Sequence, residues 1–170
     1  KAKQKFTLRL AGFVDDDLLL KYNEMIQTFN LTSQVKFLGV LNRKQFLVEI
    51  KNWDIALQGS FCEGFSNSIG DAISMGKPFM ITDTGFVAEQ IRADFPELIF
   101  FNPTPESIAE KLSQSFFKKD IVKLSAEAAN SLKQIVSSEA IILQWKTVIG
   151  ELLSLQKNTT LQLKNEHIIT

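Results

Sequence analysis

WDIALQGSFCEGFSNSIGDAISMGKPFMIT, residues 53–82, is the stretch on which the fold turns. It reads as a strand over 54–58, a loop carrying glycine and serine, a helix over about 67–75 and a second strand over 78–82. Pro78 stands at the start of its strand, where a missing N–H costs little. Strand, helical crossover and strand in this order imply parallel strands joined by a right-handed connection. The same alternation continues on both sides. Upstream lie FTLRLAG (6–12), a helix over 16–30, VKFLG (35–39) and a short helix over 43–52. Leu18, Leu19, Tyr22, Met25, Ile26 and Phe29 recur at helical spacing in the first of these helices, and Phe46, Leu47 and Ile50 point inward from the second. Downstream come a short helix over 86–92, the strand LIFF (98–101) and three helical segments at 105–117, 120–134 and 137–155. Residues 156–170 read as a polar tail.

The five strands are short and apolar, as in a sheet buried on both faces. The expected class is therefore α/β, with a doubly wound, Rossmann-like parallel sheet filling one domain over residues 1–155. In such sheets ligands sit outside the carboxyl ends of the strands. Chemistry is expected in the loops after Gly12, Leu38, Gln58 and Ile81, and seven of the eight glycines fall at or before residue 85.

Composition narrows the partners by exclusion. A chain of 170 residues, 45% hydrophobic, suffices for one well-cored domain. Nineteen basic residues offset nineteen acidic ones, so no basic stripe is available for a nucleic-acid backbone. Cys62 and His167 are the sole members of their types, which excludes an internal disulfide and a Cys/His zinc cluster. No apolar run is long enough to span a bilayer, and no signal-peptide pattern opens the chain. A cytoplasmic location is expected, with peripheral membrane contact left open for the full-length protein.

Between residues 59 and 78 the pattern acquires chemical content. A helix beginning near Asn67 presents unpaired N–H groups and a partial positive charge, which hold phosphates without a metal. Gly64 lets the backbone approach a ligand, and Ser66 is a candidate N-cap. Asn67, Ser68 and Asp71 share one side of the helix, while Ile69, Ala72, Ile73 and Gly76 lie along the stripe that packs on the sheet. Asp71 thus stands one turn into the helix, with Glu63 in the preceding loop. Two carboxylates beside an anion-binding helix start suit a ligand with both hydroxyls and phosphates. The same acid and glycine residues are also ordinary helix-start and loop residues, favourable with no ligand at all.

With Ser60, Glu63-Gly64-Phe65, Asn67, Asp71-Ala72 and Met75-Gly76-Lys77-Pro78 in this order, the sequence resembles the donor-binding, C-terminal half of retaining GT-B glycosyltransferases of family four. VKFLG, WDIALQGS and TDTGFVAEQI extend the resemblance from about residue 6 to residue 155. It implies that Glu63 holds hydroxyls of the transferred sugar and stabilises an oxocarbenium-like transition state. Backbone N–H groups around Gly64, Phe65, Ser66 and Asn67 would hold sugar or diphosphate. Asp71 would bind the ribose, and Gly39, Val40 and Arg43 would border the base. Glu89 is expected to cap its own helix. The donor would be a nucleotide-diphosphate sugar, with no metal or other cofactor, and the acceptor a polysaccharide or glycolipid. Asp71 stands where the family has Glu, shorter by one methylene, about 1.5 Å. The family's diphosphate-neutralising Arg and Lys, and its N-terminal acceptor-binding domain, are expected outside this chain, so the chain alone should transfer no sugar.

Two readings compete with that one: a nucleotide-binding or interaction module that has lost catalysis, and another GT-B enzyme such as a sugar-nucleotide epimerase. Epimerases need acid/base residues, often a His, in the crevice, and no His lies in this part of the chain. The run Val14-Asp15-Asp16-Asp17 resembles the acidic pair of phosphoacceptor receiver domains. Asp54 and Lys77 stand at the wrong ends of their strands for that, and capping of the 16–30 helix is the simpler account. Cys62 is expected as a buried spacer, Trp53 and Trp145 as core residues. The amphipathic stretch 132–153 is expected to pack on the domain rather than on a membrane.

Overall fold

The computed structural model describes residues 6–115 and 120–166. Along the chain these form β1 (Leu8–Ala11), α1 (Asp16–Thr28), β2 (Val35–Gly39), α2 (Arg43–Lys51), β3 (Ala56–Gln58), α3 (Asn67–Ser74), β4 (Phe79–Thr82), α4 (Gly85–Ile91), a 3₁₀ turn (Pro96–Leu98), β5 (Ile99–Phe100), α5 (Pro105–Ser115), α6 (Asp120–Val136) and α7 (Ser138–Glu166). Every strand pairing is parallel. Strand–helix alternation with parallel pairing is the expected Rossmann-like α/β class.

The strands fall into two hydrogen-bonded groups rather than one sheet, β1–β2 and β3–β4–β5. Leu8 pairs with Val35 and Leu10 with Phe37, the register slipping between Leu10 and Ala11 so that Ala11 meets Gly39. In the second group Ala56, Leu57 and Gln58 pair with Phe79, Met80 and Ile81, and Ile81 and Thr82 with Ile99 and Phe100. β4 is the middle strand and all four of its residues are buried, so its run FMIT reads apolar without alternation.

Two compact units divide the chain, Lys1–Ala126 and Glu127–Thr170. In the first, the core gathers on the second strand group: Ile69, Ala72 and Ile73 of α3, Val87, Ala88 and Ile91 of α4, and Phe79, Met80, Ile81, Leu98 and Ile99. Gly76 does not belong to the packing stripe of α3. It is the residue after the C-cap, at φ +71°, with Gly76 N–H donating to the Ile73 carbonyl and Lys77 N–H to the Ala72 carbonyl. That pair of bonds is the left-handed closure that glycine serves best.

The first strand group is thinly covered. α1 has no buried residue, and the stripe expected to face inward leaves Tyr22, Met25 and Phe29 exposed, although the Tyr22 ring stacks on Phe37 at 6.2 Å. Asp15 caps α1 by accepting from Leu18 N–H at 2.9 Å, as the capping account requires. The β1–β2 group is tied to α2 by charge: Arg9 forks onto the Glu49 carboxylate (Nη2 to Oε2, 2.9 Å), which also accepts from Trp53 Nε1 at 3.2 Å. Lys77 Nζ donates to the Lys51 and Trp53 carbonyls at 2.7 and 2.8 Å, closing the C-terminal end of α2.

In the second unit Ala128, Ala129 and Leu132 are buried, while the large apolar residues of α7 from Ile141 to Leu155 are exposed. Trp145, expected in the core, is 63% exposed. The helix runs to Glu166, so the stretch 156–166, expected as a polar tail, is helical. His167 lies outside the described residues. No helix among the described residues is long and apolar enough to cross a membrane.

Candidate functional site

The loop between β3 and α3 is held by a segment more than twenty residues further along the chain. Three of its contacts come from the β4–α4 connection. Thr82 Oγ1 donates to the Ser60 carbonyl at 2.6 Å, and Phe86 N–H donates to the Gly64 carbonyl at 2.8 Å. Gly85 sits at φ +76°, and a Cβ there would lie 2.8 Å from the Glu63 and Gly64 carbonyl oxygens and 2.9 Å from Glu63 Cβ. Both the left-handed backbone and the close approach demand glycine at this position. Glu63 is therefore held, half-buried, on a loop clamped from below, with its neighbour Gly64 exposed.

The Phe65 ring covers the first turns of α3. It packs 6.1 Å from the Phe86 ring, and its Cε1 would lie 2.9 Å from a Cβ at Gly70. Gly70 is thus the small residue that admits this ring. Ser66 occupies the N-cap position with extended backbone (φ −72°, ψ 103°), but its hydroxyl does not cap the helix. It lies 3.3 Å from the Ser68 hydroxyl instead. The N–H groups of Asn67 and Ser68 at the start of α3 are left for a ligand or solvent, where an anion gains about 0.3–1 kcal/mol from the helix end.

Asp71, one turn into α3, is engaged. Arg43, the first residue of α2, donates through Nη1 to Oδ2 and through Nη2 to Oδ1, the second bond 2.7 Å long. The Asp71 side chain is 16% exposed and that of Arg43 66%. The hydrogen bond to Asp71 holds the guanidinium above its ordinary pKa, burial working the other way and the carboxylate's charge adding to the rise. Gly39 closes β2 at φ +66° and Val40 is exposed; the tie from this side of the fold to α3 is made by Arg43.

Some expected placements differ. Cys62 is exposed rather than a buried spacer, because the loop bends outward between the anchored Ser60 and Gly64 carbonyls. Glu89 is the fifth residue of α4, beyond its first turn, and so does not cap it. Thr82, Gly85 and Phe86, which hold the acid loop, entered the sequence reading only within the motif TDTGFVAEQI and were given no role there. Their signal was faint: a glycine beside threonines looks like any turn. Among the described residues no group of three or more His, Cys, Asp and Glu side chains is placed to hold a metal ion.

A clamped small-residue loop running into a helix start at the end of a parallel strand belongs to a Rossmann-like α/β domain, in which ligands sit outside the carboxyl ends of the strands. Solved structures share this fold. A sucrose-phosphate synthase from Thermosynechococcus elongatus matches with a TM-score of 0.69 at 17% identity, over 88% of this chain and 39% of that one. Anabaena HepE in complex with UDP matches at 0.67 and 20% identity, over 88% and 41%. A glycosyltransferase from Rickettsia africae matches at 0.68 and 17% identity, over 89% and 41%. This chain thus spans about two-fifths of each of these proteins. No curated protein matches the sequence. Residues 1–134 match the family described as glycosyl transferases group 1, and the chain belongs to that family.

Proposed function

We propose that this chain is the donor-binding, C-terminal part of a retaining glycosyltransferase that transfers a hexose from a nucleotide-diphosphate sugar without a metal. The observation that carries the reading is the clamped loop holding Glu63 beside the open start of α3, with Asp71 one turn further on. Glycosyl transfer must stabilise a leaving diphosphate and a positive sugar carbon together. The N–H groups of Asn67 and Ser68, with Gly64, Phe65 and Ser66, serve the diphosphate and sugar. The Glu63 carboxylate serves the cationic carbon, and Asp71 the ribose. Gly39 and Val40 stand on the base side. The acceptor, a polysaccharide or glycolipid, would meet a separate N-terminal domain of the intact protein, which would act in the cytoplasm or at the membrane surface. HepE solved with UDP and with UDP-glucose makes these the first ligands to try.

In the intact protein, Glu63→Gln lowers kcat by at least about a hundredfold, the scale set by removing one electrostatic stabiliser of a transition state, while UDP affinity changes little. Wild-type turnover retained by Glu63→Gln sinks the assignment. Product anomer determined by NMR tests retention.

A second reading, a nucleotide-binding module without catalysis, is favoured by the bidentate pairing that already occupies Asp71. It predicts nucleotide binding with no turnover to lose.

A further inference from the structure

Resting on Asp71 as the ribose-binding acid, we propose that Arg43 is the positioning residue for that contact and acts through the Asp71 carboxylate rather than on the base. Arg43 is well fixed for such a task. It opens α2 directly after a capping box in which Asn42 Oδ1 accepts from Gln45 N–H at 2.9 Å and Gln45 Oε1 accepts from Asn42 N–H at 3.0 Å. Its planar fork takes both oxygens of Asp71, and so fixes the plane of the carboxylate as well as its position.

Lone-pair accounting makes the pair compatible with ligand. An ionised carboxylate offers about four acceptor sites, two on each oxygen. The fork uses one on each. One remains on each oxygen; because the fork takes the two that converge, the remaining two diverge, and a single ribose hydroxyl, 2′ or 3′, can donate to the oxygen that faces it. Burial agrees with this division: the carboxylate is largely covered, and the guanidinium stands on the solvent side. With its guanidinium open to solvent the pair is screened and contributes little to stability, so its consequence is geometric. Aspartate has a short reach, and a carboxylate that cannot extend toward the sugar must be aimed at it.

The test compares a ribonucleotide with its 2′,3′-dideoxy analogue on the intact protein, using UDP, GDP or ADP, whichever raises the melting temperature most. Wild type favours the ribonucleotide by about tenfold or more, the value of hydrogen bonds to a charged acceptor. Arg43→Met brings that preference below about threefold while leaving the dideoxy affinity unchanged. Arg43→Lys recovers only part of it, since an ammonium fixes no plane. In an Asp71→Asn background Arg43→Met adds nothing. The swapped pair, Arg43→Asp with Asp71→Arg, regains the wild-type melting temperature but not the preference, which separates positioning from a structural role.

Equal loss for both ligands in Arg43→Met would place Arg43 on base or phosphate and overturn the inference, as would an unchanged preference in Arg43→Met or in the swapped pair. Those results leave the donor-site reading standing. Wild type that does not distinguish the two ligands, Asp71→Asn that still does, or binding of none of the three nucleotides overturns the ribose assignment of Asp71 itself, and the inference with it.

Discussion

Gly85 carries the sharpest consequence of any single residue here. Its left-handed backbone costs an L-residue about 1–2 kcal/mol, and the Glu63 and Gly64 carbonyls stand where its Cβ would go. Gly85→Ala should therefore destabilise by at least that amount in urea melts and also displace Glu63, lowering kcat in the intact protein. A variant as stable and as active as wild type would show that the loop is not clamped from α4. Phe79 N–H donates to the Ser125 hydroxyl at 3.2 Å in the buried core. Ser125→Ala leaves that donor unpaired at a cost of about 1–3 kcal/mol, readable in the same melts.

At the scale of elements, α2 is the piece most dependent on charge. The Arg9 fork holds the Glu49 carboxyl below its ordinary pKa; burial opposes this, and Trp53 Nε1 and the arginine's charge reinforce it. A carboxyl with a depressed folded pKa contributes stability above its unfolded value of about 4.3, lost as pH falls through the lower folded value. Glu49→Gln should be less stable than wild type at neutral pH, with the difference closing on acidification. A difference that stays constant between about pH 6 and pH 3 would refute the coupling. The helices also show what local sequence specifies well. Asp15 and Asn42 cap α1 and α2 by the side-chain bonds their types predict. Ser66 and Thr84 make no such bond at the starts of α3 and α4, and Ser66 turns its hydroxyl to Ser68 at the one helix start proposed to hold an anion.

For the molecule as a whole, the two strand groups differ in how fully they are covered. β4 is buried throughout, whereas β1 is exposed at three of its four positions. Opening free energies follow buried contacts, so native-state hydrogen exchange should find the β4 amides protected at least about tenfold more than those of β1. Equal protection would mean that both groups open as one unit. Gln58, at the end of the outer strand β3, is buried with its Nε2 unpartnered among the described residues.

The sequence alone determined the order of elements, the parallel class and the position of the Glu63–Asp71 stretch. Those follow from apolar periodicity, caps and glycine placement, which act over a few residues. It could not determine that the strands divide into two groups, that α1 and Trp145 remain exposed, or that Cys62 turns outward, because burial depends on what other segments cover. Nor could it show that Arg43 and Asp71, 28 residues apart, meet as a forked pair, or that Gly85 supports Glu63 from another crossover. Such meetings are set by how successive strand–helix units are brought together, and only the folded chain decides which side chains then face one another.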